Sequence, residues 1–136
     1  MAGTRIVGDG FNATNGGLIL HDALVYGDRT LVTIVSGTTA YTVGTITASA
    51  NCTRILFEMP SLSGAVVTGV ISIENPEGTV IYESAACAEN DTHIIAPDPA
   101  IPIVGTNTIK LTLSTDPLSG GLGYVTPYLE GNKRRA

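Results

Sequence analysis

Residues 30–53 read TLVTIVSGTTAYTVGTITASANCT, a run with no Asp, Glu, Lys, Arg or His. Thr, Val and Ile dominate it, and β-branched side chains suit a pleated, half-buried surface. Ser36-Gly37-Thr38-Thr39 is a turn signal inside the run. It divides strands predicted over 29–36 and 41–48. No window of eleven or more residues in the chain carries a 3.6-residue apolar period, so essentially no helix is expected.

The same reading extends outward in both directions. Upstream, a strand is predicted over 18–26, and Gly27-Asp28 reads as a two-residue hairpin connection to the next. Downstream, Arg54–Met59 alternates, with Ile55, Phe57 and Met59 on one face and Arg54, Leu56 and Glu58 on the other. Pro60 ends that strand. Strands over 66–74 and 79–84 flank Asn75-Pro76-Glu77-Gly78, whose Pro and Gly suit a tight turn. Short strands follow over 93–96 and 101–104, separated by Pro97-Asp98-Pro99. Over 108–114, Ile109, Leu111 and Leu113 alternate with Lys110 and Thr112. The last strand covers 123–130 and contains Pro127, which implies an edge strand or a bulge. Eight to ten short strands make an all-β, two-layer β-sandwich of jelly-roll or immunoglobulin-like topology. Residues 1–17, with GDGFNATNGG, form an N-terminal arm. Residues 18–131 form one sandwich domain, and 132–136 form a basic tail.

Charge is scarce throughout. Charged residues are 14% of the 136, against about 25% in an ordinary soluble domain, and mean hydropathy is +0.28. The net charge of −5 and the pI near 4.7 argue against nucleic acid, because phosphate binding needs clustered Lys and Arg. They argue equally against anionic membrane surfaces. Thr, Ser and Gly interrupt every apolar run before the roughly 20 residues of a membrane helix. The start, MAGTRIVGDG, lacks the basic and apolar regions of a secretory signal, so synthesis in a cytoplasm is expected. Cys52 and Cys87 then read as small buried thiols.

Chemistry-bearing constellations are sparse. His21 sits beside Asp22, and His93 lies near Asp91 and Asp98, but neither has metal-ligand spacing. Gly8-Asp9-Gly10 and Gly120-Gly121-Leu122-Gly123 open no helix and read as turns rather than phosphate loops. Asp9, Asn12 and Asn15, and separately Glu89, Asp91 and Asp98, offer loop oxygens of the kind calcium takes, without the denser set of an EF-hand. No catalytic residue, cofactor or metal site is expected. A sugar-binding module is the alternative reading. It rests on Tyr124 and Tyr128, which share one face of the last strand, although Trp is absent and aromatics are 5%. Tyrosines in that position equally serve an interface, with an apolar body and a wet tip.

Residues 108–131, TIKLTLSTDPLSGGLGYVTPYLEG, are similar to the closing hairpin of small β-sandwich proteins from tailed-bacteriophage heads. With the acidic balance, the Thr/Gly/Val richness and the basic tail, the chain resembles a phage capsid decoration, or cement, protein. The resemblance implies a homotrimer on the outside of a virion capsid, made in the host cytoplasm. It implies the major capsid protein as partner and binding without catalysis as the mechanism. The expected contact residues are Thr4, Arg5, Ile6 and Val7 of the arm, Tyr41, Tyr124 and Tyr128 of the body, and Lys133, Arg134 and Arg135 of the tail. The uncharged run 30–53 would supply contact surface, since interface cores are depleted in charge.

Overall fold

The computed structural model describes residues 22–62 and 66–132. Nine strands and no helix occur among them: β1 Asp22–Tyr26, β2 Thr30–Ile34, β3 Ala40–Met59, β4 Thr68–Glu74, β5 Val80–Glu83, β6 Cys87–Ala88, β7 Asp91–Ile95, β8 Ile101–Leu113 and β9 Gly121–Asn132. The chain divides into two compact units. Met1–Leu24 with Glu130–Ala136 is the smaller, and Val25–Leu129 is the larger. The smaller is described only at 22–24 of β1 and 130–132 of β9.

The larger unit is a sandwich made by one curled antiparallel sheet, and β3 is the strand that turns the corner. Its first part pairs with β8, from Ala40↔Thr112 to Cys52↔Ile101. Its last part pairs with β7, from Ile55↔Ile95 to Met59↔Asp91. β9 runs beside β3 and pairs on its other side with β2, from Thr30↔Val125 to Ile34↔Gly121. One layer is therefore β2-β9-β3-β7. The other is β3-β8-β4, edged by β5 and β6.

The sequence predicts separate strands over 41–48 and 54–59. The structure joins them through Asn51-Cys52-Thr53, which holds no Gly or Pro to stop an extended chain. The buried positions record the corner. Ile46 and Cys52 are buried at even numbers, then Ile55, Phe57 and Met59 at odd ones. Such a change of phase within a strand marks the bend that carries it between layers. A bulge at Thr42/Gly44 shifts the phase once before. The strands predicted over 101–104 and 108–114 are likewise one strand, β8. Gly105 lies between them with φ +73°, a conformation other residues rarely adopt.

The core forms where the two layers meet. Phe57 and Met59 of one layer face Gly69 and Leu111 of the other. A Cβ on Gly69 would sit 2.9 Å from Leu111 Cδ1 and 3.3 Å from Phe57 Cε2. Ile34, Ile55, Phe57, Ile71, Ile73, Ile103, Leu111 and Val125 are fully buried, each contributing about 1.5–3 kcal/mol of transfer free energy. The alternations predicted over 54–59 and 108–113 hold, with Ile55, Phe57, Met59, Ile109, Leu111 and Leu113 all inward. The turn at 75–78 also forms. Asn75 Oδ1 accepts from the Glu77 and Thr79 backbone amides at 3.0 and 2.9 Å, and Gly78 takes φ +87°.

Two local expectations fail for one reason. Gly27-Asp28 does not close a hairpin, because β2 pairs with β9 and the Gly27 N–H donates to Pro127 O at 2.7 Å. The chain is kinked along β9 rather than reversed. Pro127 is correspondingly not on an edge, since β9 lies between β2 and β3. In a strand the N–H and C=O of one residue point to the same side. The missing Pro127 donor therefore faces the kink at Gly27, where the β2 ladder has already ended, so no ladder bond is lost.

Candidate functional site

The uncharged run 30–53 supplies two outer surfaces of different chemistry. On the β3–β8 layer, exposed Thr45, Thr47, Ser49 and Asn51 stand opposite Thr108, Thr106, Val104 and Pro102. Thr47 and Thr106 share a hydrogen bond between their hydroxyls at 2.9 Å. Here Thr and Ser occupy positions that Lys or Glu commonly fill, and this stretch is hydroxyl-rich, with the Lys110–Glu74 pair further along the same layer.

The outer surface of the β2-β9-β3-β7 layer is apolar. Leu31 stands opposite Tyr124, Thr33 opposite Leu122, and Leu56 opposite Ile94. Leu31 is 47% exposed, Leu122 54% and Ile94 66%, and Val35 beyond the end of β2 is 46% exposed. Two-residue periodicity places these side chains together, because the alternate positions Val32, Ile34 and Val125 point into the core. Contiguous exposed apolar surface on one sheet face marks an interaction site.

The charges on this surface neutralise one another. Arg29 Nη2 donates to Glu58 Oε1 at 2.7 Å, and Nε donates to Oε2 at 3.2 Å, a two-pronged pair. The Arg29 guanidinium also lies 3.6 Å from the centre of the Tyr124 ring, bridging β9 from the start of β2 to β3. Hydrogen bonding by Arg29 holds the Glu58 carboxyl below the ordinary range. The same bond, with Glu58 as acceptor, raises the Arg29 guanidinium. Four residues further along β9, Arg54 lies 5.3 Å from the Tyr128 ring centre. Around Tyr124 the surface thus presents apolar area beside a paired charge, as the charge-depleted centre of a protein interface requires, while Arg54 keeps its charge at the Tyr128 end.

The other sequence candidates fall elsewhere. Tyr41 is half-buried, and its hydroxyl is committed to the 35–39 turn. It donates to Thr38 O at 2.6 Å and also lies 3.1 Å from Val35 N and Val35 O. Tyr124 and Tyr128 are brought onto the apolar surface, in keeping with their shared face. Thr4, Arg5, Ile6, Val7, His21, Lys133, Arg134 and Arg135 lie outside the described residues, as do Asp9, Asn12 and Asn15. Glu89, Asp91 and Asp98 are not gathered, and no group of three or more metal-ligating side chains occurs among the described residues. His93 Nε2 lies 2.8 Å from Ala88 O. It lines a pocket of about 320 Å³ with Tyr82, Cys87 and Ile95 that contains no carboxylate. Cys52 and Cys87 are free, buried thiols, and burial raises both above the ordinary thiol range.

The Arg29–Glu58–Tyr124 cluster is not legible in the sequence. Its members come from three strands, and only the register Leu31↔Tyr124 brings them together. A weak signal exists in Arg29 and Arg54, the two arginines that border the uncharged run.

No protein-family model matches the chain, and no curated protein matches it. Solved structures do share its fold. A chain of the cyanophage Pam1 capsid asymmetric unit is 13% identical, with a TM-score of 0.56, and the match covers 85% of this chain and 89% of that one. A chain in the structure of infectious bursal disease virus Gx strain is 8% identical, with a TM-score of 0.46, and the match covers 82% of this chain and 32% of that one. The Pam1 likeness is one of fold, nearly end to end in both chains. The second match is looser and takes in only part of a longer chain.

Proposed function

We propose that this chain is a structural virion protein, a homotrimeric β-sandwich that binds the outside of a phage capsid and reinforces contacts between major capsid subunits. The observation that carries this reading is the apolar outer surface of the β2-β9-β3-β7 layer, with Leu31, Leu122 and Ile94 exposed and Arg29 neutralised by Glu58. Exposed apolar surface gathered on one sheet face marks a site that other chains cover. The fold shared with a chain of the Pam1 capsid asymmetric unit supports the same reading. The mechanism is binding energy. Neighbouring copies meet through apolar surface, and the assembled copies span capsid subunits that would otherwise separate on heating. A specific, stable contact needs about 800 Å² per partner.

The sugar-binding alternative needs open tyrosine faces for stacking. Arg29 already lies over Tyr124, which favours the assembly reading.

The test is occupancy on emptied capsids, followed by heat challenge. Capsids carrying the wild-type chain should survive a higher temperature than bare capsids. The Leu122→Lys variant should fold but leave capsids bare. Equal occupancy by the two proteins, or no protection by the wild type, would overturn the proposal.

A further inference from the structure

Three irregularities meet at one place in the larger unit. The chain kinks at Gly27-Asp28 between β1 and β2, Pro127 of β9 lies opposite that kink, and β3 bulges at Thr42/Gly44. Bulges of this kind recur where a sheet re-aims side chains for binding. Beside them lies a pocket of about 290 Å³, lined by the kink and by parts of β2, β3, β8 and β9. Its floor is apolar, from Ile46, Ile109, Pro127 and Leu129, and its rim carries threonine hydroxyls and the Asp28 carboxylate. The volume lies just under the about 300–1,000 Å³ of small-molecule sites and suits one or two aliphatic side chains.

The charge on the rim narrows the choice of occupant. Asp28 pairs with no cation among the described residues, whose basic groups are all engaged. Arg29 is held by Glu58, Lys110 by Glu74 at 3.2 Å, and Arg54 by the Tyr128 ring. The remaining basic residues are Arg5, Lys133, Arg134 and Arg135. Only Arg5 stands directly beside aliphatic residues, in Arg5-Ile6-Val7. Fourteen residues separate Val7 from Asp22, a length of chain that extends to about 50 Å and so reaches a neighbouring copy.

We infer that this pocket receives Arg5-Ile6-Val7 of a second copy of this chain, the aliphatic side chains on the Ile46–Leu129 floor and the guanidinium on Asp28. The inference rests on the reading that the protein works as an assembly of copies, and it names a second contact between them beside the apolar face. The pair of charges adds orientation, and the aliphatic groups add the burial.

The test uses the full chain without capsids. Val7→Cys and Thr45→Cys are prepared as separate proteins, mixed, oxidised and resolved by non-reducing electrophoresis. Thr45 is exposed on the pocket rim, and Thr38→Cys, at the far turn before β3, is the control. The Val7→Cys/Thr45→Cys heterodimer should form at least about tenfold faster than the Val7→Cys/Thr38→Cys one, and Asp28→Asn should slow it about tenfold. Equal rates at the two positions would overturn the inference. Cross-linking only within a single chain carrying both cysteines would also overturn it, because the occupant would not be a second copy. Rapid cross-linking by a protein that fails to bind capsids would overturn the capsid reading alone. Capsid binding without the specific cross-link would overturn the pocket inference alone.

Discussion

The Arg29 guanidinium lies 3.6 Å from the centre of the Tyr124 ring, and the same group is paired with Glu58 one strand further on. One side chain thus spans the outer surface of β9 and ties β2 to β3. The surface it crosses is the one on which Leu31, Leu122 and Ile94 stand exposed. Pairing Arg29 with Glu58 leaves apolar area around Tyr124 that another chain covers at little electrostatic cost.

The pair makes stability depend weakly on pH. Glu58 is lowered in the fold, so its contribution is present above the unfolded glutamate pKa of about 4.3 and is lost as pH falls through the folded value. Both groups are near the surface, so the effect is small and salt-sensitive. Thermal melts of Glu58→Gln and wild type should differ above the ordinary glutamate range and converge as pH falls through the lowered folded value. A constant offset across that range would show that the loss comes from packing rather than from charge.

Packing across the layers is least tolerant at Gly69. Its absent side chain makes room for Leu111 and Phe57, and a Cβ would stand 2.9 Å from Leu111 Cδ1. Gly69→Ala should destabilise by about 1–3 kcal/mol through overpacking, and Phe57→Ala by about 3–5 kcal/mol through the cavity left behind. Denaturant unfolding checks both. A neutral Gly69→Ala would mean that the layers separate more easily than the packing indicates.

Cys52 and Cys87 should react slowly with a thiol reagent in the native protein. Burial pushes both thiols up, and the thiolate is the reactive form. Colorimetric thiol titration should show both groups only after unfolding. Immediate reaction of either thiol in buffer would place it in open solvent instead.

Much of the fold is legible in the sequence because strand periodicity is local. Ile55, Phe57 and Met59, or Ile109, Leu111 and Leu113, state their buried face without reference to anything distant. The relation between strands is harder to read. Gly27-Asp28 has the composition of a hairpin, but β9, almost a hundred residues away in sequence, supplies the ladder instead. Pro127 reads as an edge for the same reason: its missing donor is harmless only because the kink lies opposite. The interaction surface is half legible. Tyr124 and Tyr128 share a face by simple alternation, whereas Leu56, Ile94 and the Arg29–Glu58 pair join them only through the register of four strands.

The two outer surfaces should respond differently to added charge. Ser49→Lys lies on the hydroxyl-rich surface of the β3–β8 layer, away from the pocket at Asp28, and should leave self-association unchanged. Leu31→Lys lies on the apolar surface and should abolish it. Both are exposed positions, so each should cost less than about 0.5 kcal/mol of stability. Chemical denaturation measures that cost, and size-exclusion chromatography with light scattering reads the association.

The decisive measurement is the sedimentation-equilibrium mass of the wild-type chain beside its Leu31→Lys variant. The wild type should sediment at three times the 14.0 kDa chain mass, and the variant as a folded monomer with an unchanged melting temperature. A monomeric wild type, or a variant that assembles as the wild type does, would contradict the reading that other chains cover this surface.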